Sequence, residues 1–312
     1  MPLSFRALFS SSCTLVVRRW KPLLTGIVLC ALVSLFLQVL FLRKAGAEIG
    51  RGLGDLLGPQ RAAELMMQMH ERTGSVEYLA QRGRLILGEV QQALDRLPAG
   101  QGQEKVERIV RRIVQDMAPW LGGIVSAAIL LLFFRRSYFL LLAHTSKTSL
   151  AILLHRSAQE MFRLLALTLW IFLRSFLWLP FVLPFIAFFY PRLILLLILA
   201  WIPALLLLPR FALASVILVG HREGITESAR ISFDHTKGYW GKILGNLFLV
   251  RLLLLVALWL LGMFSTAVGM LGLPLLPALL RSIATQASVA FVCIFLTELT
   301  QTVMAHPKRG EE

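Results

Sequence analysis

The chain has 312 residues, 57% of them hydrophobic and only 16% charged, with a mean hydropathy of +0.73. That balance excludes a water-soluble globular fold, which needs a polar surface, and makes a bilayer the required solvent. The net charge of +15 would point to nucleic acid in a soluble protein. Here the bases flank apolar runs, so they read as topology signals and contacts to anionic inner-leaflet lipid, with no nucleic-acid partner.

A bilayer core of roughly 30 Å needs about 20 apolar residues in a helix. In chain order such runs cover Pro22 to Leu42, about Ala118 to Phe134, Leu164 to Phe189, Leu193 to Val219, Ile243 to Phe264, and Ser282 to Met304. The turn at Tyr190, Pro191 and Arg192 makes the third and fourth spans antiparallel neighbours, and Pro203 and Pro209 are expected to kink the fourth. The fold class is therefore all-α: a polytopic bundle of about six spans with a small helical extracytoplasmic insertion.

The domain plan follows. Residues 1–44 hold an interfacial segment and the first span, and 45–117 form the insertion. Residues 118–304 carry spans two to six with a cytoplasmic amphipathic helix at 223–237, and 305–312 form the tail. Segments 1–21, 135–163 and 210–242 carry four, five and five Lys/Arg with few acids, so the positive-inside rule places both termini in the cytoplasm. The small-residue string Ala45-Gly46-Ala47 resembles a signal-peptidase site, but Arg43 and Lys44 separate it from an apolar run too long for a signal peptide.

Within the insertion, Val106, Ile109, Val110, Ile113, Val114 and Met117 recur at the spacing of one helix face. The stretch 59–97 is helical by the same test, broken at Thr73-Gly74-Ser75, and Pro98 to Gly102 should turn the chain back. The product is a helical hairpin or three-helix cap, read either as a partner-binding element or as packing on the bundle. Met66, Met67, Met69 and His70 do not share one face and read as packing, not as a metal site. Cys13, Cys30 and Cys293 lack any short pairing spacing, so neither a disulfide framework nor a metal knuckle is expected, and no cofactor is implied. The stretch from Tyr138 to Leu154 reads either as an interfacial helix or as an extension of the second span.

Arg210 to Gly245 reads RFALASVILVGHREGITESARISFDHTKGYWGKILG. Gly224, Ser228, Ser232, Phe233, Thr236 and Gly238, followed by Tyr239 and Trp240, resemble the membrane domain associated with some glycerophosphodiester phosphodiesterases and related six-helix bacterial membrane proteins. The resemblance covers the last half of the chain at most. Ser228 stands where that family has Ala, and Trp240 falls one place early. It implies an architecture, a fourth helix leading into a cytoplasmic amphipathic helix, and no chemistry. Gly224 can start that helix, Gly238 can end it in a left-handed cap, and Tyr239 and Trp240 can anchor the headgroup zone. The phosphodiesterase barrel itself needs some 250 residues of soluble chain, so His221-Arg222-Glu223-Gly224 reads as a chance likeness to its His-Arg start. No enzyme is expected, because His144, His155, His221 and His235 lie on cytoplasmic segments without a nucleophile arrangement.

Three ionisable residues fall inside apolar runs: Arg174, Arg251 and Glu298. At 1.5 Å per residue they lie about 9 to 15 Å from the cytoplasmic ends of their helices. Glu298 could pair with either arginine, with Thr297, Thr300 and Gln301 completing a polar network. That network reads either as a structural ion pair or as an anion or headgroup site. The favoured function is a non-catalytic membrane scaffold or accessory component of an envelope or lipid-related assembly, with protein partners or a homo-oligomer. The alternative is a transporter or lipid-handling protein using the three charges.

Overall fold

The computed structural model describes residues 4–70, 88–93, 101–145, 149–176, 210–269 and 275–305. Its elements are α1 (Phe5–Arg18), α2 (Trp20–Leu57), α3 (Pro59–His70), α4 (Gln101–His144), α5 (Leu150–Phe176), α6 (Ala214–His221), α7 (Ile225–Thr236), α8 (Trp240–Gly269) and α9 (Leu275–Met304). Among the described residues there is no strand, and four helices, α2, α4, α8 and α9, are long and apolar enough to cross a membrane. They answer to the first, second, fifth and sixth runs. Of the third run α5 carries the part up to Phe176. The turn at Tyr190, Pro203 and Pro209 all lie outside the described residues, so the count of six rests on the sequence.

The membrane helices outrun their apolar runs. α2 continues past Leu42 for a total of 38 residues, through four further glycines and with no proline between Leu42 and Pro59. Lys44 reaches Glu48 one turn on at 2.6 Å, and Arg51 approaches the same carboxylate at 3.1 Å. The stop comes at Gly58, whose φ of +88° is a left-handed cap, and Pro59 opens α3 where its missing N–H costs nothing. α4 is likewise one helix of 44 residues with Pro119 inside it, so the amphipathic 106–117 segment and the second span are continuous. It also takes in 138–144, which makes that stretch an extension of the span; a new helix begins only at Leu150.

The chain divides into two compact units. One comprises Ala31–Ile129 and Leu261–Ser282. Within it Gly52 lets α2 close on α4: a Cβ there would stand 2.9 Å from Ile113 and 3.2 Å from Ile109. Arg112 pairs with Asp55 at 2.7 Å, and Arg61 with Glu89 at 2.7 Å. The stripe that packs is narrower than the periodicity predicts, for Ile109 is buried while Val110 and Val114 are exposed. Met67 is exposed as well, against the expectation of packing.

The other unit comprises Met1–Cys30, Leu130–Leu260 and Ile283–Glu312. Its centre is α6, buried at every position from Ala214 to Val219, as befits a helix that is apolar on all sides. Residues 137–143 of α4 are buried just as completely. α5 and α7 pack on α6, and α1 lays Phe5 and Phe9 against Phe295 and Phe291 of α9, with ring centroids 6.1 and 5.4 Å apart. Small residues allow the closest approaches. Ser137 donates to the Ser157 carbonyl at 2.7 Å, both being fully buried, and the Tyr138 ring lies where Gly26 has no side chain.

α8 shows the opposite distribution. Ile243, Asn246 and Val250 form its buried stripe, whereas Phe248, Leu252, Leu255 and Trp259 are exposed. An apolar surface of this extent is stable in hydrocarbon and not in water. The chain is a membrane protein.

Candidate functional site

α7 is the element that carries the sequence motif, and its polar side chains turn inward. Gly224 precedes it in an extended conformation as N-cap, and Gly238 follows at φ +89°, the left-handed turn expected there. Ser228, Ser232 and Thr236, one turn apart, are fully buried with Ala229 beside them. Ser232 donates to the Arg210 carbonyl at 2.7 Å, and Thr236 donates to the Ser232 carbonyl at 2.8 Å. The Arg210 guanidinium lies 4.7 Å above the Phe233 ring, and Phe211 stands between Phe233 and Trp170. These residues fasten α7 to the start of α6 and to α5. Trp240 opens α8 and is exposed, as an interfacial anchor should be.

The string His221-Arg222-Glu223-Gly224 is the α6–α7 turn. Arg222 adopts φ 58°, the left-handed conformation that terminates α6, and the Glu223 carbonyl accepts from Arg163 of α5 at 2.7 Å.

Each of the three charges that fall within apolar runs lies in a different setting. Arg174, in the last turn of α5, is exposed with its guanidinium 5.3 Å over the Trp170 ring. Arg251, on α8, is exposed. Glu298, on α9, accepts from Ser11 of α1 at 2.6 Å and lies within electrostatic reach of Arg19. No salt bridge joins Glu298 to either arginine among the described residues. Thr297 and Thr300 spend their hydroxyls on the carbonyls of Cys293 and Leu296 in their own helix, and Gln301 is exposed. What Glu298 does is tie α1 to α9.

Arg19, at the junction of α1 and α2, caps α4 from outside. It donates to the Leu142 and Thr145 carbonyls, the latter at 2.8 Å, so a cation sits at the negative end of the helix.

No family model, curated protein or solved structure matches the chain. Its chemistry has to be read from its own residues.

Two of those residues escape a reading of the sequence as spans and flanks. Arg135 and Arg136 look like the basic end of the second run, yet both are half-buried in α4. Arg135 donates to Gln286 of α9 at 3.2 Å and Arg136 to Ser215 of α6 at 2.9 Å. The signal in the sequence is the apolar stretch that resumes at Tyr138. Between Leu121 and Ala143 the two arginines are the only charges, so they interrupt one long apolar helix instead of ending it.

Among the described residues no cluster of three or more His, Cys, Asp or Glu has the spacing of a metal site. An apolar groove of about 310 Å³ lies between α2 and α4, lined by Leu37, Leu40, Pro119, Trp120, Gly123 and Ile124.

Proposed function

We propose that this membrane protein is a non-catalytic scaffold or accessory component of an envelope or lipid-related assembly, lying in the cytoplasmic membrane with both termini in the cytoplasm. The likeness of segment 210–245 to the membrane domain of some glycerophosphodiester phosphodiesterases belongs to the same proposal and concerns architecture alone. The observation that carries it is the disposition of α7. Ser232 ties it to the Arg210 carbonyl, Thr236 bonds back to the Ser232 carbonyl and Ser228 is buried without a hydrogen-bond partner among the described residues, while Thr226, Arg230, Asp234 and Lys237 stand exposed on the opposite side as a charged face. A helix built in this way has its polar chemistry committed to structure and its free face available to a partner or to anionic headgroups. The transporter or lipid-handling alternative draws on the exposure of Arg174 and Arg251, which carry no ion pair among the described residues.

Native mass spectrometry of the protein in mild detergent separates the two. The scaffold reading predicts a stable homo-oligomer or partner complex whose mass is unchanged in Arg174→Ala and Arg251→Ala. A small anion bound to the wild type and lost in both variants would overturn it in favour of the carrier. The same reading predicts that a cysteine at Ser75 is labelled from outside the cell and one at Thr226 is not.

A further inference from the structure

Among the described residues no carboxylate pairs with Arg135 or Arg136. No Asp or Glu occurs between Asp116 and Glu160 or between Asp234 and Glu298, and the segment 177–209 has none either. Of the carboxylates described in this unit, Glu160 pairs with Arg163, Glu227 with Arg230 and Glu298 accepts from Ser11, while Glu223 lies in the α6–α7 turn and Asp234 is exposed on α7. The partners of the two arginines are neutral, the buried Gln286 and Ser215. Arg135 gives one terminal nitrogen to Gln286, and its Nε–H is buried with no acceptor among the described residues. Although adjacent residues on a helix diverge by about 100°, both guanidiniums lie within electrostatic reach of one buried thiol, that of Cys293.

Two half-buried guanidiniums whose hydrogen-bond partners are neutral, with no carboxylate paired to them among the described residues, favour an anion as counter-charge. The unused Nε edge of Arg135 is a planar donor fork, the shape that takes two oxygens of a phosphate or phosphodiester. We infer that Arg135 and Arg136 form a binding site for a phosphate-bearing anion, with Gln286 and Ser215 holding the two guanidiniums in place. The anion is either the phosphodiester of an anionic lipid or free phosphate, since both present the same oxygens. The site is independent of the scaffold reading: a scaffold and a carrier can each bind a structural anion.

The test uses the full chain, purified and delipidated in mild detergent, with native mass spectrometry as the readout. Phosphatidylglycerol, diacylglycerol of the same chains, and inorganic phosphate are the probes. Phosphatidylglycerol is expected to give a single retained adduct that diacylglycerol does not. The affinity is expected to fall roughly tenfold or more in Arg135→Gln/Arg136→Gln and to hold in Arg174→Gln. Displacement of that adduct by inorganic phosphate would assign the site to the free anion; persistence would assign it to the lipid. Equal retention of phosphatidylglycerol and diacylglycerol, or a folded double variant that binds as the wild type does, would overturn the inference. Should the double variant not fold, a phosphatidylglycerol carrying a photoactivatable headgroup decides on the wild type. Labelling within 130–143 or 283–293 upholds the site, and labelling confined to other segments refutes it.

Discussion

Replacing Phe295 by alanine is expected to cost about 3–5 kcal/mol of stability, the range for removing a fully buried aromatic ring. The ring is wholly inaccessible on α9 and meets Phe5 of α1 at 6.1 Å, within the core that surrounds α6. Its neighbours there are drawn from helices already in contact, so the cavity closes only in part. The control is Phe248→Ala. Phe248 is the same residue type on α8 but is 64% exposed, on the face assigned to lipid, and its loss is expected to stay within about 0.5 kcal/mol. Thermal unfolding of both variants in the same detergent checks the contrast. Equal shifts would mean that α9 and α8 do not differ in burial as described.

The second large effect is the opposite error of packing. Gly26→Leu is expected to destabilise by about 3 kcal/mol through overpacking. Even a Cβ at this position would clash with Cε1 of Tyr138. The tyrosine cannot swing away, because it is buried and its hydroxyl donates to the Pro22 carbonyl at 2.9 Å. A double-mutant cycle with Tyr138→Ala tests the cause: the double variant should be less destabilised than the sum of the two singles, since each relieves the other's defect. Strict additivity would place the defect of Gly26→Leu somewhere other than the ring.

What could be read from the sequence follows from which physical signals are local. Continuous apolarity at 22–42 and 243–264 identifies the helices α2 and α8, because a bilayer demands about that length of apolar chain. Helix ends are a separate matter. The charges after Leu42 mark the edge of hydrocarbon but do not unwind a helix, so α2 goes on to Leu57; the real terminator, Gly58-Pro59, stood in the sequence as a cap signal. The apolar 214–219 run fits lipid and protein interior equally well, and periodicity does not separate them. Only the packing shows α6 as a core helix.

The motif on α7 was legible in its caps, Gly224 and Gly238, which are backbone requirements. The inward role of Ser232 and Thr236 was not, because their acceptor, the Arg210 carbonyl, is set by tertiary contact. Glu298 illustrates the same limit. Depth in the bilayer identifies it as a residue that needs a partner, yet the partner, Ser11, lies 287 positions away on α1, and no local pattern points to it. Arg135 and Arg136 do not announce their packing for a different reason. A charge pair beside an apolar run is the usual form of a span terminus, and the continuation from Tyr138 to Ala143 had to be weighed against it.

The central claim is that the exposed apolar face of α8 lies in hydrocarbon. It is tested most directly by single cysteines placed along that helix in intact membranes, in a background where Cys13, Cys30 and Cys293 are replaced. With a water-soluble maleimide, cysteines at Leu252, Leu255 and Trp259 are expected to stay unlabelled until detergent is added, while one at Trp240, at the helix start, reacts at once. Uniform labelling of all four in intact membranes would contradict the account, because it would put this face of α8 in water.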